Sequence, residues 1–224
     1  MVVVLCFFSM LFWAFFEQAG SSVNNFTDRN VDRVFAEQSI TPDQVGSPVE
    51  VEVGQGLTGY PRFNDPSAVI TMTDIDAWKE AHKRDEGPAM MTITPTQAHV
   101  GMSVKGSEVA TSQFQAANPI FIIFFGLAFS ALWGWRGRRK MEPSTPTKFG
   151  LGILQLGAGF GVLWYAATQP DARGMVGMGA LLLSYLLITT GELCLSPVGL
   201  SMITKLAPAR IVSMVMGAWF LATA

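Results

Sequence analysis

Apolar and polar residues follow one another in long blocks along this chain. Mainly apolar runs occupy residues 1–26, 118–135, 149–167, 175–196 and 211–224. The first four approach the roughly 20 residues that a helix needs to cross the hydrocarbon of a bilayer. The fifth is shorter, so we expect the chain to end inside a further helix. The pattern predicts an all-α membrane protein with four spans and the start of a fifth.

The composition agrees with this prediction. Half of the residues are hydrophobic and 14% are charged, a combination that is rare in a soluble domain of this size. Five cations crowd the loop at residues 136–148, so the positive-inside rule predicts that this loop is cytoplasmic. A nucleic-acid patch is excluded because the run is short, lacks interleaved aromatic residues and lies between two spans. The short turn at residues 169–174 should then lie outside.

The block at residues 27–117 is polar and holds 13 acidic and 7 basic residues. We expect a soluble, extracytoplasmic insert. Residues 49–53 alternate as a half-exposed strand does, and residues 73–86 predict a helix with Thr73 or Asp74 as its N-cap. A small mixed domain is one interpretation and a partly disordered linker is the other. His82 and His99 have no neighbours at metal-ligand spacing, which predicts solvated structural roles.

The fourth apolar run carries a stripe of polar residues at helical spacings of three and four. Tyr185, Thr189, Glu192 and Ser196 share this face. An ionised carboxylate inside a bilayer is costly, so Glu192 should face protein or a water-filled cavity and needs a partner. Pro197 follows and should kink or open the helix. The alternative is a polar stripe that only packs helices together.

The first apolar run contains a second intramembrane acid, Glu17, on its own polar stripe. Desolvation disfavours the charged form of such a group unless a cation approaches. A lysine or arginine could therefore exchange places with a proton, which is the physical requirement for proton coupling. The alternative places Glu17 near a lipid headgroup at the end of a short helix.

Several stretches resemble the proton-dependent oligopeptide transporter family of the major facilitator superfamily. GELCLSPVGLSMITKLAPAR at residues 191–210 and MGAWFLATA at residues 216–224 are similar to its tenth helix and the start of its eleventh. FWAFFEQ at residues 12–18 resembles its seventh helix, and PSTPTKF at residues 143–149 resembles the lead into its ninth. The resemblance implies a carboxyl-terminal helical bundle, with the residue 27–117 insert as an addition and with the amino-terminal half missing.

The resemblance also implies roles for individual residues. Glu192 would hold the amino terminus of a bound peptide, Asn118 its carbonyl groups, and Trp219 a side-chain pocket, with Ser196 as a further binding residue. Glu17 would take the coupling proton. For Asn118 the alternative is a helix N-cap, and for Trp219 it is a packing or lipid-facing side chain.

The function implied for the parent protein is symport of protons with di- and tripeptides across the cell membrane. Its partners would be these peptides, the lipid bilayer and the amino-terminal half, with no nucleic acid, no metal and no cofactor besides the proton. Alternatives are the same fold with another solute, such as nitrate or an amino acid, and a membrane-anchored binding module built on the insert. An enzyme is not predicted, because no nucleophile–base pair, metal spacing or phosphate loop occurs at convincing positions.

Overall fold

The chain divides into two units in the computed structural model, which describes residues 2–83, 87–207 and 210–221, without the side chains of 2, 3, 5, 196–200 and 202–206. The helical unit comprises Met1–Thr27, Thr111–Ala167 and Gly179–Ala224. The mixed unit, which contains the strands, comprises Asp28–Ala110 and Thr168–Met178.

The elements follow in chain order. The helices are α1 Val2–Phe16, α2 Ser22–Asn30, α3 Met72–Ala81, α4 Thr111–Gln115, α5 Ala117–Arg138, α6 Thr145–Ala167, α7 Met178–Leu206 and α8 Val212–Leu221. The strands are β1 Val31–Asp32, β2 Val34–Ser39, β3 Val49–Glu52, β4 Met90–Ile93, β5 Ser103–Glu108 and β6 Val176–Gly177.

Three stretches of helix are long and apolar enough to cross a membrane, namely Thr111–Arg138, Thr145–Ala167 and Met178–Leu195. They coincide with three of the apolar runs. The backbone of α7 stays helical from Met178 to Leu206, through Pro197, so the helix does not open there. A kink at that residue stays a prediction.

The first apolar run is not the single helix that was predicted for residues 1–26. α1 ends at Phe16, and a 3-10 turn over Glu17–Gly20 separates it from α2. The hydroxyls of Ser21 and Ser22 donate to Oε1 of Gln18, at 3.3 and 2.7 Å. Nε2 of Gln18 donates to the carbonyl oxygen of Ala14 at 3.3 Å. A side-chain bond of this kind competes with the backbone bond of a continuing helix.

Helices α6 and α7 pack with their backbones close together. A Cβ atom on Gly152 would lie 2.8 Å from the carbonyl oxygen of Gly191, and one on Gly191 would lie 2.7 Å from that of Gly152. Thr190 adds a hydrogen bond to Oε1 of Gln155 at 2.6 Å. Small residues and interhelical hydrogen bonds are the usual means of helix association in lipid, and the two glycines let the helices approach closely here.

The mixed unit contains two antiparallel strand pairs around its own apolar core. β2 pairs with β5 through an irregular register, and β3 pairs with β4 so that Val51 lies opposite Met91. The strand predicted at residues 49–53 and the small mixed domain are confirmed. The buried apolar side chains at the centre are Ile40, Val51, Val53, Leu57, Ile70, Ile75, Ile93 and Met102.

The N-cap of helix α3 lies two residues before the nearer of the two predicted positions. Thr71 is the N-cap: its hydroxyl accepts from the backbone N–H of Asp74 at 3.4 Å, and Asp74 Oδ2 accepts from the backbone N–H of Thr71 at 2.8 Å. This reciprocal pair is a capping box. The prediction of Thr73 or Asp74 was wrong because Asp74 acts from inside the helix and not at its cap.

The turn at residues 169–174 is part of the mixed unit and not an independent connection. β6 pairs in parallel with β1, so that Val31 lies opposite Val176. Arg173 forms ion pairs with Asp32 and Asp171. Gly59 has φ of +85°, and a Cβ there would lie 2.5 Å from the carbonyl oxygen of Arg173. The α6–α7 connection therefore contributes to the fold of the insert.

Arg33 and His99 are two of the polar side chains that are buried inside the mixed unit. Arg33 is only 2% exposed and reaches Asp28 Oδ1 at 3.1 Å and Glu108 Oε1 at 3.0 Å. His99 is also buried and bonds to the Thr96 backbone at 3.0 Å and to the Pro61 carbonyl at 3.0 Å. The solvated role predicted for His99 was wrong, because these backbone partners replace water around its ring.

Candidate functional site

Asn118 connects the start of α5 with the middle of α7. It is the second residue of α5, and the N-cap position belongs to Ala116. Its side chain therefore does not cap the helix. Its Oδ1 accepts a hydrogen bond from the Thr189 hydroxyl at 2.7 Å. The cap alternative for Asn118 is wrong, and the residue is available for other chemistry.

Thr189 fixes the orientation of the Asn118 amide. It is fully buried, and its Oγ1 also lies 2.7 Å from the carbonyl oxygen of Tyr185 one turn earlier. A hydroxyl has a single proton, so the two acceptors share it. Because Oδ1 of Asn118 faces Thr189, the amide nitrogen is free to donate, and Asn118 lies near enough to Glu192 to interact with its carboxyl group.

Glu192 completes this group, which we call the polar triad: Asn118, Thr189 and Glu192. Oε2 of Glu192 is buried and has no hydrogen-bond partner among the described residues. A buried, unserved carboxylate oxygen is unfavourable until a donor reaches it. The triad can therefore accept a cationic donor such as an ammonium group.

Glu17 lies near enough to Glu192 for the two carboxyl groups to interact electrostatically. It is exposed at the start of the 3-10 turn that follows α1. Like charges at short range disfavour simultaneous ionisation. When two acids interact in this way, binding of a proton at one can affect binding of a cation at the other.

The remaining predicted site residues lie apart from the triad or outside the part of the chain that the structure describes. Trp219 is almost fully buried in an apolar cluster and packs edge-on against Phe149, with ring centres 6.3 Å apart. This contact matches the packing alternative, and its role in a substrate pocket stays a prediction. The side chain of Ser196 lies outside the described residues.

A second polar contact between α6 and α7 was not predicted as part of the site. Gln155 Oε1 accepts from Thr190, and its Nε2 lies 3.5 Å from Sγ of Cys194. On α7, Thr190 directly follows the triad residue Thr189, and Cys194 lies two positions after the triad residue Glu192. The signal in the sequence was the lone glutamine in an apolar helix, which needs a partner in lipid.

No group of three or more histidine, cysteine or acidic side chains in metal-binding geometry occurs among the described residues. The mixed unit instead contains a polar cleft of about 590 Å³. Lys79, Lys105 and Glu108 line it, together with backbone of β5 and of residues 52–56. Lys79 Nζ already donates to Glu108 at 3.4 Å, so these charges largely satisfy one another.

Comparison with known proteins finds one family model that matches. The model is described as the POT family and covers residues 89–224, more than half of the chain. The peptide transporter YePEPT of Yersinia enterocolitica is 46% identical over 122 residues, which is 54% of this chain and 24% of that protein. A dipeptide and tripeptide permease A of Erwinia pyrifoliae is 40% identical over 126 residues, which is 56% of this chain and 25% of that protein.

Solved structures show the same likeness. A crystal structure of a peptide transporter POT in complex with sulfate superposes with a TM-score of 0.62 at 27% identity, covering 99% of this chain and 30% of that chain. The match to the Yersinia and Erwinia proteins spans about a quarter of the length of each. The family match begins at residue 89, after Glu17.

Proposed function

The chain belongs to the POT family, and on this premise we propose that it forms part of a proton-coupled symporter of di- and tripeptides. Relatives named as peptide transporters and as dipeptide and tripeptide permeases support this proposal. The observation that carries it is the polar triad, in which a buried carboxylate oxygen of Glu192 lacks a donor among the described residues.

The chemistry of the triad suits the amino terminus of a peptide. An ammonium group supplies three donors, and a charge-assisted bond to Glu192 is stronger than a neutral one. Asn118, oriented by Thr189, would add contacts to peptide carbonyls. Ser196 and Trp219 would complete the pocket. The carboxyl end of the peptide would need cations from parts of the protein outside these residues.

Glu17 would carry the coupling proton. Protonation removes its charge and its repulsion of Glu192, so the occupancy of one acid affects the other. A ligand shifts a conformational equilibrium only through different affinities for the two states. Proton and peptide would therefore favour the same state of the transporter. No cofactor besides the proton is proposed, and the site of action would be the cell membrane.

The test is uptake of labelled dialanine into proteoliposomes containing the full gene product that carries these residues. Thr189→Val should raise KM because Asn118 loses its orienting bond. Thr190→Val is the matched control, since its hydroxyl bonds to Gln155 instead, and it should leave KM unchanged. Glu192→Gln should abolish uptake. An unchanged KM in Thr189→Val together with active Glu192→Gln would contradict the binding role of the triad.

Proton coupling has its own measurement. Glu17→Gln should lose uptake driven by a pH gradient but retain exchange of internal for external dialanine. Loss of both activities would place Glu17 in binding or folding and not in coupling. Inhibition of uptake by nitrate or free amino acids, without inhibition by dipeptides, would favour the same fold with another solute.

A membrane-anchored binding module is the second candidate. The folded core of the mixed unit and its polar cleft favour it. The test joins residues 28–110 to residues 168–178, because both segments build the unit. Dispersed amide NMR signals and a partner captured by this fragment would support the module, and a fragment that folds without any partner would argue against it.

A further inference from the structure

The end of α5 concentrates positive charge. Arg136, Arg138, Arg139 and Lys140 occupy four of five consecutive positions, and the last three are exposed. We call these four residues the basic turn. Cations near a helix C-terminus interact favourably with the helix dipole, but that effect is satisfied by one or two charges and does not account for four.

The basic turn lies at the end of a helix that exposes apolar side chains. Ile123, Phe124 and Leu127 are 71%, 72% and 80% exposed. Such a surface is covered by lipid or by another membrane helix and not by water. The basic turn, which follows the last apolar turn of α5, therefore lies near the boundary between hydrocarbon and water.

The backbone of the basic turn is held in an unusual conformation. The N–H of Met141 donates to the carbonyl of Arg136 at 2.9 Å, and that of Lys140 donates to Gly137 at 3.0 Å. This is a Schellman motif, in which the left-handed position usually belongs to glycine. Lys140 occupies that position with φ of +56° and is the one non-glycine residue with positive φ in the part of the chain that the structure describes. A lysine in a strained position points to a use for its charge.

The acid of the same loop does not neutralise the basic turn. Glu142 is the single acid between residues 136 and 148, and it forms an ion pair with Lys148. Lys148 is itself buried and lies 4.7 Å above the ring of Trp133. The pairing of Glu142 with a fifth cation leaves a large excess of positive charge on the basic turn.

An aromatic side chain fixes part of the basic turn. The guanidinium of Arg139 lies 4.5 Å above the centre of the Trp135 ring, and Trp135 is 41% exposed. Tryptophan is enriched at the membrane–water interface. The contact therefore holds the charge of Arg139 at the depth of the lipid headgroups.

We propose that the basic turn binds the phosphate headgroup of an anionic phospholipid in the cytoplasmic leaflet. Arginine side chains match phosphate oxygens with paired hydrogen bonds, and a cluster of four cations directly after a span is a recognised pattern for anionic lipid. Lys140 and Arg138 would add charge from the left-handed corner and from the last helical turn. The proposal does not depend on what the protein transports.

Trp135 provides a direct readout of the bound lipid. The full chain is reconstituted in vesicles that contain brominated phosphatidylglycerol or brominated phosphatidylcholine, and the Trp135 signal is obtained by subtracting the spectrum of Trp135→Phe. Half-maximal quenching should occur at a roughly fivefold lower fraction of brominated phosphatidylglycerol than of brominated phosphatidylcholine, as expected for one well-placed cation. Equal quenching by both lipids would overturn the proposal.

Matched variants separate a lipid site from general charge effects. Arg138→Gln, Arg139→Gln and Lys140→Gln combined should abolish the preference. Lys79→Gln, Lys83→Gln and Lys105→Gln combined remove the same charge from the mixed unit and should leave it unchanged. Lys140→Gly, which relieves the strained φ and keeps the helix end, should reduce the preference. An unchanged preference in the first variant or in Lys140→Gly would contradict the proposal.

Discussion

The two units of this chain differ in how their polar side chains find partners. The mixed unit pairs its charges: Arg33 meets Asp28 and Glu108, and Arg173 meets Asp32 and Asp171. The helical unit contains few polar side chains inside its spans and joins helices through glycine contacts and single hydrogen bonds. Among the described residues, Glu192 is the one carboxylate with a buried oxygen that has no hydrogen-bond partner.

The difference follows from the solvent that each unit meets. In water, apolar burial drives folding and surface ion pairs contribute little. In lipid, apolar side chains gain little from meeting one another, so close packing and interhelical hydrogen bonds become more important. An unsatisfied acid is tolerated in neither environment without a reason. The contrast therefore separates residues that hold the fold from residues that are available to bind a ligand.

The largest effect is expected at Arg33. Arg33→Met leaves the carboxylates of Asp28 and Glu108 without their buried cation, and breaking a buried pair costs about 3–5 kcal/mol. Lys83→Met is the control, because its ion pair with Glu80 is highly exposed. Hydrogen exchange of β3 and β4 amides in the full chain measures the loss. Equal exchange in both variants would show that the Arg33 network does not hold the mixed unit.

The next effect tests the close contact of α6 and α7. Gly152→Ala places a methyl group 2.8 Å from a backbone oxygen of α7, and overpacking of this kind costs about 1–3 kcal/mol. Gly150→Ala, on the same helix, adds a methyl group with nothing within 4 Å. Thermal unfolding in detergent should therefore show a lower midpoint for Gly152→Ala alone. Equal midpoints would mean that the two helices separate easily.

A smaller effect tests where α3 begins. Thr71→Ala removes the N-cap oxygen and should destabilise the mixed unit by about 1 kcal/mol. Thr73→Ala changes an exposed position inside the helix and should have no cost, because alanine is the better helix former. Hydrogen exchange of the first amides of α3 reports both variants. A larger effect of Thr73→Ala would indicate that Thr73 is the N-cap, as the sequence predicted.

The smallest effect concerns Asp171, the carboxylate that pairs with Arg173 in the turn before β6. Burial raises the pKa of Asp171, but the backbone N–H groups of Met175 and Arg173 and the Arg173 guanidinium outweigh it, so the net pKa lies below its usual value of 3.8. Because the folded-state pKa is lower than the unfolded one, the stabilisation is present above pH 3.8 and is lost as pH falls through the folded pKa.

Asp171→Asn keeps an oxygen acceptor and removes the charge, so at pH 7 it should cost about 0.5 kcal/mol. Below pH 3.8 the difference from the wild type should shrink. The measurement is hydrogen exchange of β6 amides as a function of pH, corrected for the intrinsic exchange rate. A difference that grows toward acid pH would contradict the assignment of the charge to this link.

The sequence predicted the spans well and the connections poorly. α5 and α6 lie within a few residues of the predicted runs because long hydrophobic stretches dominate local structure. The break after α1 was missed because it involves a local side-chain bond from Gln18 to the Ala14 carbonyl, which the hydrophobic pattern does not reveal. The pairing of Val31 with Val176 was missed because strands of two residues carry no periodicity and their partners are distant in sequence.

The site shows the same division. Spacing alone placed Tyr185, Thr189 and Glu192 on one face of a helix. In the structure Thr189 hydrogen-bonds to Asn118, and Glu192 lies near enough to Asn118 to interact with it. That Asn118 belongs with them was implied by family resemblance and not by its position. Hydrophobic pattern cannot predict which of two helices supplies a partner, since the choice depends on how α5 and α7 pack.

The pairing of β1 with β6 also constrains how the protein is made. Val31 and Val176 are 145 positions apart, and chain synthesis proceeds at about 5–20 residues per second, so the first strand waits roughly 7–30 s for its partner. During this time α5 and α6 are synthesised. The mixed unit therefore stays incomplete, with the edge at Val31 unpaired, until residues 176–177 have been made.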